Sequence, residues 1–129
     1  MTAHEIKYKL FHRIGAGGYG EVFLGSMRGA KAISRRVAIK RLCYARSEAG
    51  DAQLFAEEAQ LLARLEHPNI VSILDYYIDE NGYPSLVMEY IDGCNLADAL
   101  TRGACPPSVA VYIAVEMLRA LSYLHQMPS

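Results

Sequence analysis

Three glycines spaced Gly15-x-Gly17-x-x-Gly20, a lysine at position 40 (Lys40) and a glutamate at position 58 (Glu58) are the residues here suited to handling phosphate. Glycines at that spacing let backbone N–H groups approach phosphate oxygens unobstructed and permit the positive φ values of a tight loop. Taken alone, the pattern is weak, its plain alternative being a flexible hairpin tip. A dinucleotide-binding fold would need a helix directly after Gly20, whereas Glu21-Val22-Phe23-Leu24-Gly25 is β-rich and short, so that reading fails on context.

Lys40 falls in a predicted strand over 36–42, where period-two alternation places Ala38 and Lys40 on one face and Val37 and Ile39 on the other. Ala38 is small enough for a flat heterocycle to lie against the sheet, and Lys40 can reach anionic oxygens under the glycine tip. An isolated strand lysine otherwise simply faces water. Its partner comes from residues 51–66, whose apolar spacing is helical. At about 100° per residue from Leu54, Leu61 lies near about −20°, Leu65 about 20°, Leu62 about 80° and Phe55 about 100°. Glu58, at about 40°, is then expected at the middle of a buried stripe, where it must find a cation or snorkel to solvent; breaking a buried pair costs about 3–5 kcal/mol. Lys40 is the best available cation, and a Lys40–Glu58 pair would aim the ammonium at phosphates.

The elements that must position these groups follow from pattern. Strands are predicted over 8–14 and 21–24, the second ended by Gly25, with 26–36 as a solvated loop carrying Arg28, Lys31, Arg35 and Arg36. After the third strand and the helix, which Pro68 stops, strands over 70–78 and 85–91 flank Asp79-Glu80-Asn81-Gly82-Tyr83-Pro84, whose Asn-Gly step signals a hairpin turn. Asp92-Gly93 is a break, 95–101 a short helix, and Pro106-Pro107-Ser108 opens a long amphipathic helix to about His125. Val109, Ile113, Met117, Leu121 and Leu124 form its broad apolar face, widened by Val111 and Leu118, which is expected to be adhesive when uncovered.

Composition bounds the rest. With 13 Lys plus Arg against 14 Asp plus Glu among 129 residues, the net charge of −1 gives no electrostatic reason to expect nucleic acid or an anionic membrane. An apolar share of 52% rules out intrinsic disorder. Cys43, Cys94 and Cys105 lack the paired spacings of a zinc site or disulfide framework and read as reduced thiols. Residues 1–9 carry no apolar core for a secretory signal, and Glu116 and Arg119 interrupt 109–124 before it reaches bilayer-spanning length, so a cytoplasmic location without a membrane anchor is expected.

At this point the sequence resembles the protein kinase family, of the serine/threonine type. Gly15-Ala16-Gly17-Gly18-Tyr19-Gly20-Glu21-Val22 is similar to its glycine-rich loop, and Val37-Ala38-Ile39-Lys40 is identical to its lysine strand motif. Glu58-Ala59 with Leu61-Leu62 resembles the helix glutamate block. His67-Pro68-Asn69-Ile70-Val71 resembles the lead-in to the fourth strand, and Leu86-Val87-Met88-Glu89-Tyr90-Ile91 the fifth strand and hinge. The resemblance implies an α+β fold: a tail over 1–7, then an N-lobe and hinge over 8–91 with a five-stranded antiparallel sheet and one helix. Two helices over 92–129 would begin the C-lobe.

The resemblance further implies ATP as cofactor, with Ile14, Gly15, Ala16, Gly17, Gly18, Tyr19, Gly20, Val22, Ala38 and Lys40 around it and Glu58 holding Lys40. Adenine would lie between Ala38 and Val22, bond to backbone at Glu89 and Ile91, and meet Met88 as gatekeeper. Asn95 stands where the family often places a ribose contact, and a helix N-cap explains it equally well. No His-Arg-Asp loop or Asp-Phe-Gly metal site occurs in these residues, so Mg²⁺ ligands are absent and the chain is expected to be a truncated or split product, inactive alone. The competing readings are a non-catalytic interaction module that docks a missing C-lobe or helical protein partner through the long helix, and a small-molecule phosphotransferase fragment.

Overall fold

The computed structural model describes residues 7–17, 20–29, 33–42 and 50–128; Gly18, Tyr19, Lys31 and Cys43 lie outside them. Strands β1 (Lys7–Gly17), β2 (Gly20–Arg28), β3 (Ser34–Leu42), β4 (Ile73–Ile78) and β5 (Pro84–Glu89) form one antiparallel sheet in the order β1-β2-β3-β5-β4. Helix α1 (Asp51–Ala63) packs on β4 and β5, and α2 (Leu96–Leu100) and α3 (Pro107–His125) complete the α+β set. Two compact units result: the sheet with α1, and Leu65–Val71 together with the chain from Ile91 onward.

Alternation along β3 splits the first unit's core in two. Val37 and Ile39 point to one face with Val87, covered by Tyr8, Leu10, Met27, Leu74 and Tyr77. Leu42 and Leu86 point to the other, where α1 delivers Phe55 and Ala59, with Leu62, Ile73 and Met88 around them. The same alternation puts Lys40 on the α1 side.

The apolar stripe of α1 is rotated from its expected position. Phe55 and Ala59 are its buried residues, whereas Leu54 and Leu61 are 55% and 56% exposed. Ala59 carries too little side chain to weigh in a leucine count, yet its smallness lets the helix approach the sheet and so fixes which face turns inward. The helix also ends earlier than expected, at Ala63 rather than 66. Pro68 has no N–H for the Arg64 carbonyl and its ring would clash there, so the Arg64 N–H instead closes a tight last turn on Leu61 O at 3.2 Å.

Other boundaries shift for comparable reasons. Gly25 does not end β2; it sits inside the strand opposite Leu10 and Val37, and most of the expected loop over 26–36 is strand. Arg35 and Arg36 are therefore strand residues, and the Arg36 guanidinium lies 5.2 Å from the Tyr90 ring centroid. β4 starts at Ile73, not 70, and β5 spans Pro84–Glu89. Between them Asp79 organises a longer turn than a two-residue hairpin: its Oδ1 accepts from the N–H groups of Asn81 and Tyr83, and Gly82 takes φ 83°.

Although β1 and β4 are the two edges of the sheet, their side chains meet. Tyr8 donates to Asp75 Oδ2 and stacks on Tyr77 with ring centroids 4.3 Å apart. Burial, then the hydrogen bond to Asp75 and that carboxylate's charge, push the Tyr8 phenol well above its ordinary value; burial chiefly raises Tyr77 as well. The folded protein thus holds the Tyr8 proton more tightly than the unfolded chain. That stabilisation is complete below the ordinary phenol pKa of about 10 and is lost as pH rises through the higher folded value. Tyr8→Phe should cost about 1 kcal/mol at neutral pH and give a shallower fall in urea midpoint above about pH 10 than the wild type. An unchanged alkaline slope would remove Tyr8 from that account.

In the second unit the segment after α1 belongs with α3. Asn69 Nδ2 donates to the Glu116 carbonyl oxygen at 3.0 Å and to its Oε2 at 2.9 Å, the Glu66 N–H donates to the Tyr123 hydroxyl, and the His67 and Tyr123 rings lie 5.1 Å apart. Pro107 occupies the first turn of α3, where a missing N–H costs nothing. By length and composition α3 is in fact long and apolar enough to cross a bilayer, contrary to the expectation from Glu116 and Arg119. Both charged residues are nevertheless engaged, Glu116 by Asn69 and by Arg119 at 3.3 Å.

Candidate functional site

The β1–β2 hairpin carries the glycine cluster. Gly17 pairs with Gly20 at its tip, Ala16 with Glu21 and Gly15 with Val22, while a register shift between Arg13 and Gly15 leaves Ile14 unpaired. Gly15 and Gly20 hold extended backbone; among the described residues the positive φ values fall at Gly50, Gly82 and Gly103. What the tip requires of Gly20 is space. A Cβ there would lie 3.3 Å from the Arg41 carbonyl oxygen and 3.4 Å from Lys40 Cε, so the missing side chain is what lets the hairpin settle against the lysine stem.

Val22 pairs with Lys40, and Leu24 and Met88 flank Ala38 on either side, so Val22, Ala38, Lys40 and Met88 share one patch of the sheet. Ala38 is buried, and Met88 packs against the α1-side core. Lys40 Nζ donates to Glu58 Oε1 at 3.0 Å and stands 6.0 Å from the Phe55 ring centroid.

The side chains of the pair are 25% and 35% exposed. Glu58 therefore sits on the flank of the buried stripe and not at its centre, and the penalty for a dry, broken pair does not apply. At the water's edge such a pair is worth about 1 kcal/mol or less. Its consequence is positional: it ties the direction of the ammonium to the placement of α1.

Glu89 donates its N–H to the Ser72 carbonyl at 3.0 Å, and its Oε1 accepts from the Ser72 N–H at 2.9 Å. Any further main-chain contact at Glu89 thus falls to its carbonyl. Ile91 and Asn95 belong to the second unit. The Ile91 carbonyl accepts from the Gly93 N–H at 3.1 Å. Asn95 caps α2, its Oδ1 accepting from the Asp98 N–H at 2.7 Å, which leaves only its amide nitrogen for a ligand. Cys94 is an exposed free thiol, and Cys105 is free as well. Among the described residues no group of three or more His, Cys, Asp or Glu side chains lies together as a metal site.

Three features went unread in the sequence. Phe55 serves both as the main anchor of α1 and as the aromatic neighbour of Lys40. The Tyr8–Asp75–Tyr77 cluster is a second, and only the register of two distant strands brings it together. Third, Arg41 lies 4.8 Å from the Phe23 ring centroid, 5.0 Å from that of Tyr83 and 3.9 Å from Asp79 Oδ2. Its signal was period two: a neighbour of Lys40 on a strand must face the other way.

Residues 8–128 match the protein kinase domain family. The chain is 37% identical over 121 residues to "Serine/threonine-protein kinase pkn2" of Myxococcus xanthus, covering 92% of this chain and 14% of that protein. It is 38% identical over 117 residues to human "Mitogen-activated protein kinase kinase kinase 11", covering 87% and 13%. It is 32% identical over 125 residues to "Tyrosine-protein kinase MasK" of M. xanthus, covering 92% and 18%. The chain thus spans less than a fifth of the length of these curated relatives. With the family match running from the first strand past the end of the last helix, and with the glycine hairpin, lysine strand and helix glutamate arranged on one sheet, this chain belongs to the protein kinase domain family.

Proposed function

We propose that these residues form the ATP-binding part of a serine/threonine protein kinase. The observation that carries the reading is the Lys40 ammonium held 3.0 Å from Glu58 with Gly20 closed down against its stem. Backbone N–H groups of the glycine hairpin cover phosphate oxygens, Lys40 neutralises charge on the α and β phosphates, and Glu58 keeps Lys40 from swinging into water. Ala38 and Val22 offer a flat apolar surface to the adenine, and backbone at Glu89 bonds its edge. Bound ATP supplies the γ-phosphoryl group. Mg²⁺ is assigned no ligands here, because these residues contain no Asp-Phe-Gly sequence. The serine/threonine assignment is supported by the name of the M. xanthus relative at 37% identity, against one tyrosine-directed name at 32%. These 129 residues contain no His-Arg-Asp or Asp-Phe-Gly sequence, so by themselves they bind nucleotide without transferring phosphate. A reducing, cytoplasmic setting completes the reading, in keeping with the free thiols of Cys94 and Cys105.

The test is thermal protection by ATP. Saturation to about a hundredfold over Kd should stabilise the wild-type chain by about 2.7 kcal/mol. Lys40→Ala should lose most of that protection and Glu58→Gln a smaller part, while both keep their ATP-free stability within about 1 kcal/mol. Full protection in both variants would end the proposal.

A second reading rests on α3, none of whose residues is buried and whose Val111, Tyr112, Met117 and Leu118 are all well exposed. Such a face suits docking on another helical surface. A defined stoichiometric complex formed by a chain that gains no protection from ATP would favour it.

A further inference from the structure

The sheet face that carries Lys40 has a second concentration of charge at its far end. Pairing sets Lys7 opposite Arg28 and Arg28 opposite Ser34, then Lys9 opposite Ser26 in the next row. Residues two apart on a strand share a face, so both rows look the same way, while Tyr8, Leu10 and Met27 between them turn into the core. Lys7, Lys9, Phe11, Ser26, Arg28 and Ser34 line a groove of about 540 Å³ that contains no carboxylate. Among the described residues Lys7, Lys9 and Arg28 have no acidic partner; Lys9 instead lies 5.8 Å from the ring centroid of the half-exposed Phe11.

Three cations and two hydroxyls thus line one groove with no acidic side chain among them, which makes it a local positive patch on a chain of net charge −1. A phosphate ester matches the donors: it accepts charge-assisted bonds from lysine and arginine and ordinary ones from serine. The spacing suits a peptide as the carrier. Lys7 and Lys9 stand two residues apart on β1, about 7 Å, which is the repeat of same-side groups on an extended chain, and Phe11 follows at the bulge between Leu10 and His12. A phosphorylated side chain would meet the two lysines and Arg28 while an apolar one two residues away covers Phe11. A single-stranded nucleic acid would call for a series of stacking aromatics, and the groove presents one such exposed ring. Arg28 lies six residues along β2 from Val22, the partner of Lys40, or about 20 Å, so this groove is separate from the lysine–glutamate site.

We propose that this groove binds a phosphorylated peptide segment. The test titrates the chain with a fluorescein-labelled nonapeptide bearing one phosphoserine and a leucine two residues after it, read by anisotropy at about 0.1 M salt. Its unphosphorylated twin and an oligothymidylate of equal charge serve as comparisons. The phosphopeptide should bind at least about tenfold more tightly than its twin, and a Lys9→Gln/Arg28→Gln double variant should erase that preference while keeping the wild-type melting temperature and ATP protection. Phe11→Ser should weaken both peptides. Equal binding of the twin, tighter binding of the oligonucleotide, or an unaffected double variant would each overturn the proposal, and none of these results depends on whether nucleotide binds at Lys40.

Discussion

Phe55→Ala should cost the sheet-and-helix unit about 3–5 kcal/mol, seen as a lowered denaturant midpoint with an unchanged slope. Phe55 is 1% exposed, packs with Leu42, Ala59 and Leu86, and tilts against Tyr76 at 6.2 Å between centroids. Truncating it leaves a cavity under α1 that Ala59 is too small to refill, and stability margins of about 5–15 kcal/mol make the loss a large one. Because Glu58 rides on the same helix, the Lys40–Glu58 geometry should loosen too, and if that pair positions nucleotide as proposed, ATP protection falls along with the midpoint. The control is Leu54→Ala, one residue away but largely in water, which should change stability by about 0.5 kcal/mol or less. Equal costs at the two positions would mean that α1 presents its other face to the sheet.

Gly25→Ala should be nearly as damaging, at about 3 kcal/mol, for the opposite reason: an atom added where none fits. A Cβ at position 25 would lie 2.4 Å from the Lys9 carbonyl oxygen and 3.0 Å from Ile39 Cδ1. The first neighbour is backbone, so β1 itself must move, next to the register shift between Leu10 and His12. Gly15→Ala provides the contrast. Its Cβ would meet only Val22 Cβ, at an ordinary 3.9 Å, so stability should hold within about 1 kcal/mol. If the hairpin covers phosphates as proposed, that variant should lose ATP protection while remaining folded, which separates the two roles of glycine in one hairpin.

The strand carrying Lys40 was legible because alternation has a single period and Val37-Ala38-Ile39-Lys40 keeps it without interruption. The helix was legible in kind but not in its inward face, because leucine spacing marks hydrophobicity whereas the smallness of Ala59 decides how closely the helix approaches the sheet. Glu58 still found Lys40 because the flank of a packed helix lies as close to the sheet as its centre does, and a long lysine side chain spans the difference. Gly25 misled for a related reason: glycine usually marks the end of a strand, and only the approach of the Lys9 backbone reveals that here it marks a crowded middle. The Asn69–Glu116 and Tyr8–Asp75 bonds were beyond reach, since each joins residues dozens of positions apart that no local periodicity connects.

The meeting of Tyr8 with Asp75 and Tyr77 gives the outer strand of the glycine hairpin a fixed root. That strand is clamped there, nine residues or about 30 Å before Gly17, and its two bulges are points of compliance along the arm. Bending at the bulges moves β1 alone, because β2 is laddered to β3 without interruption from Gly20 opposite Leu42 to Arg28 opposite Ser34. The outer strand is thus the compliant half of the hairpin, while the inner one keeps Gly20 against the Lys40 stem.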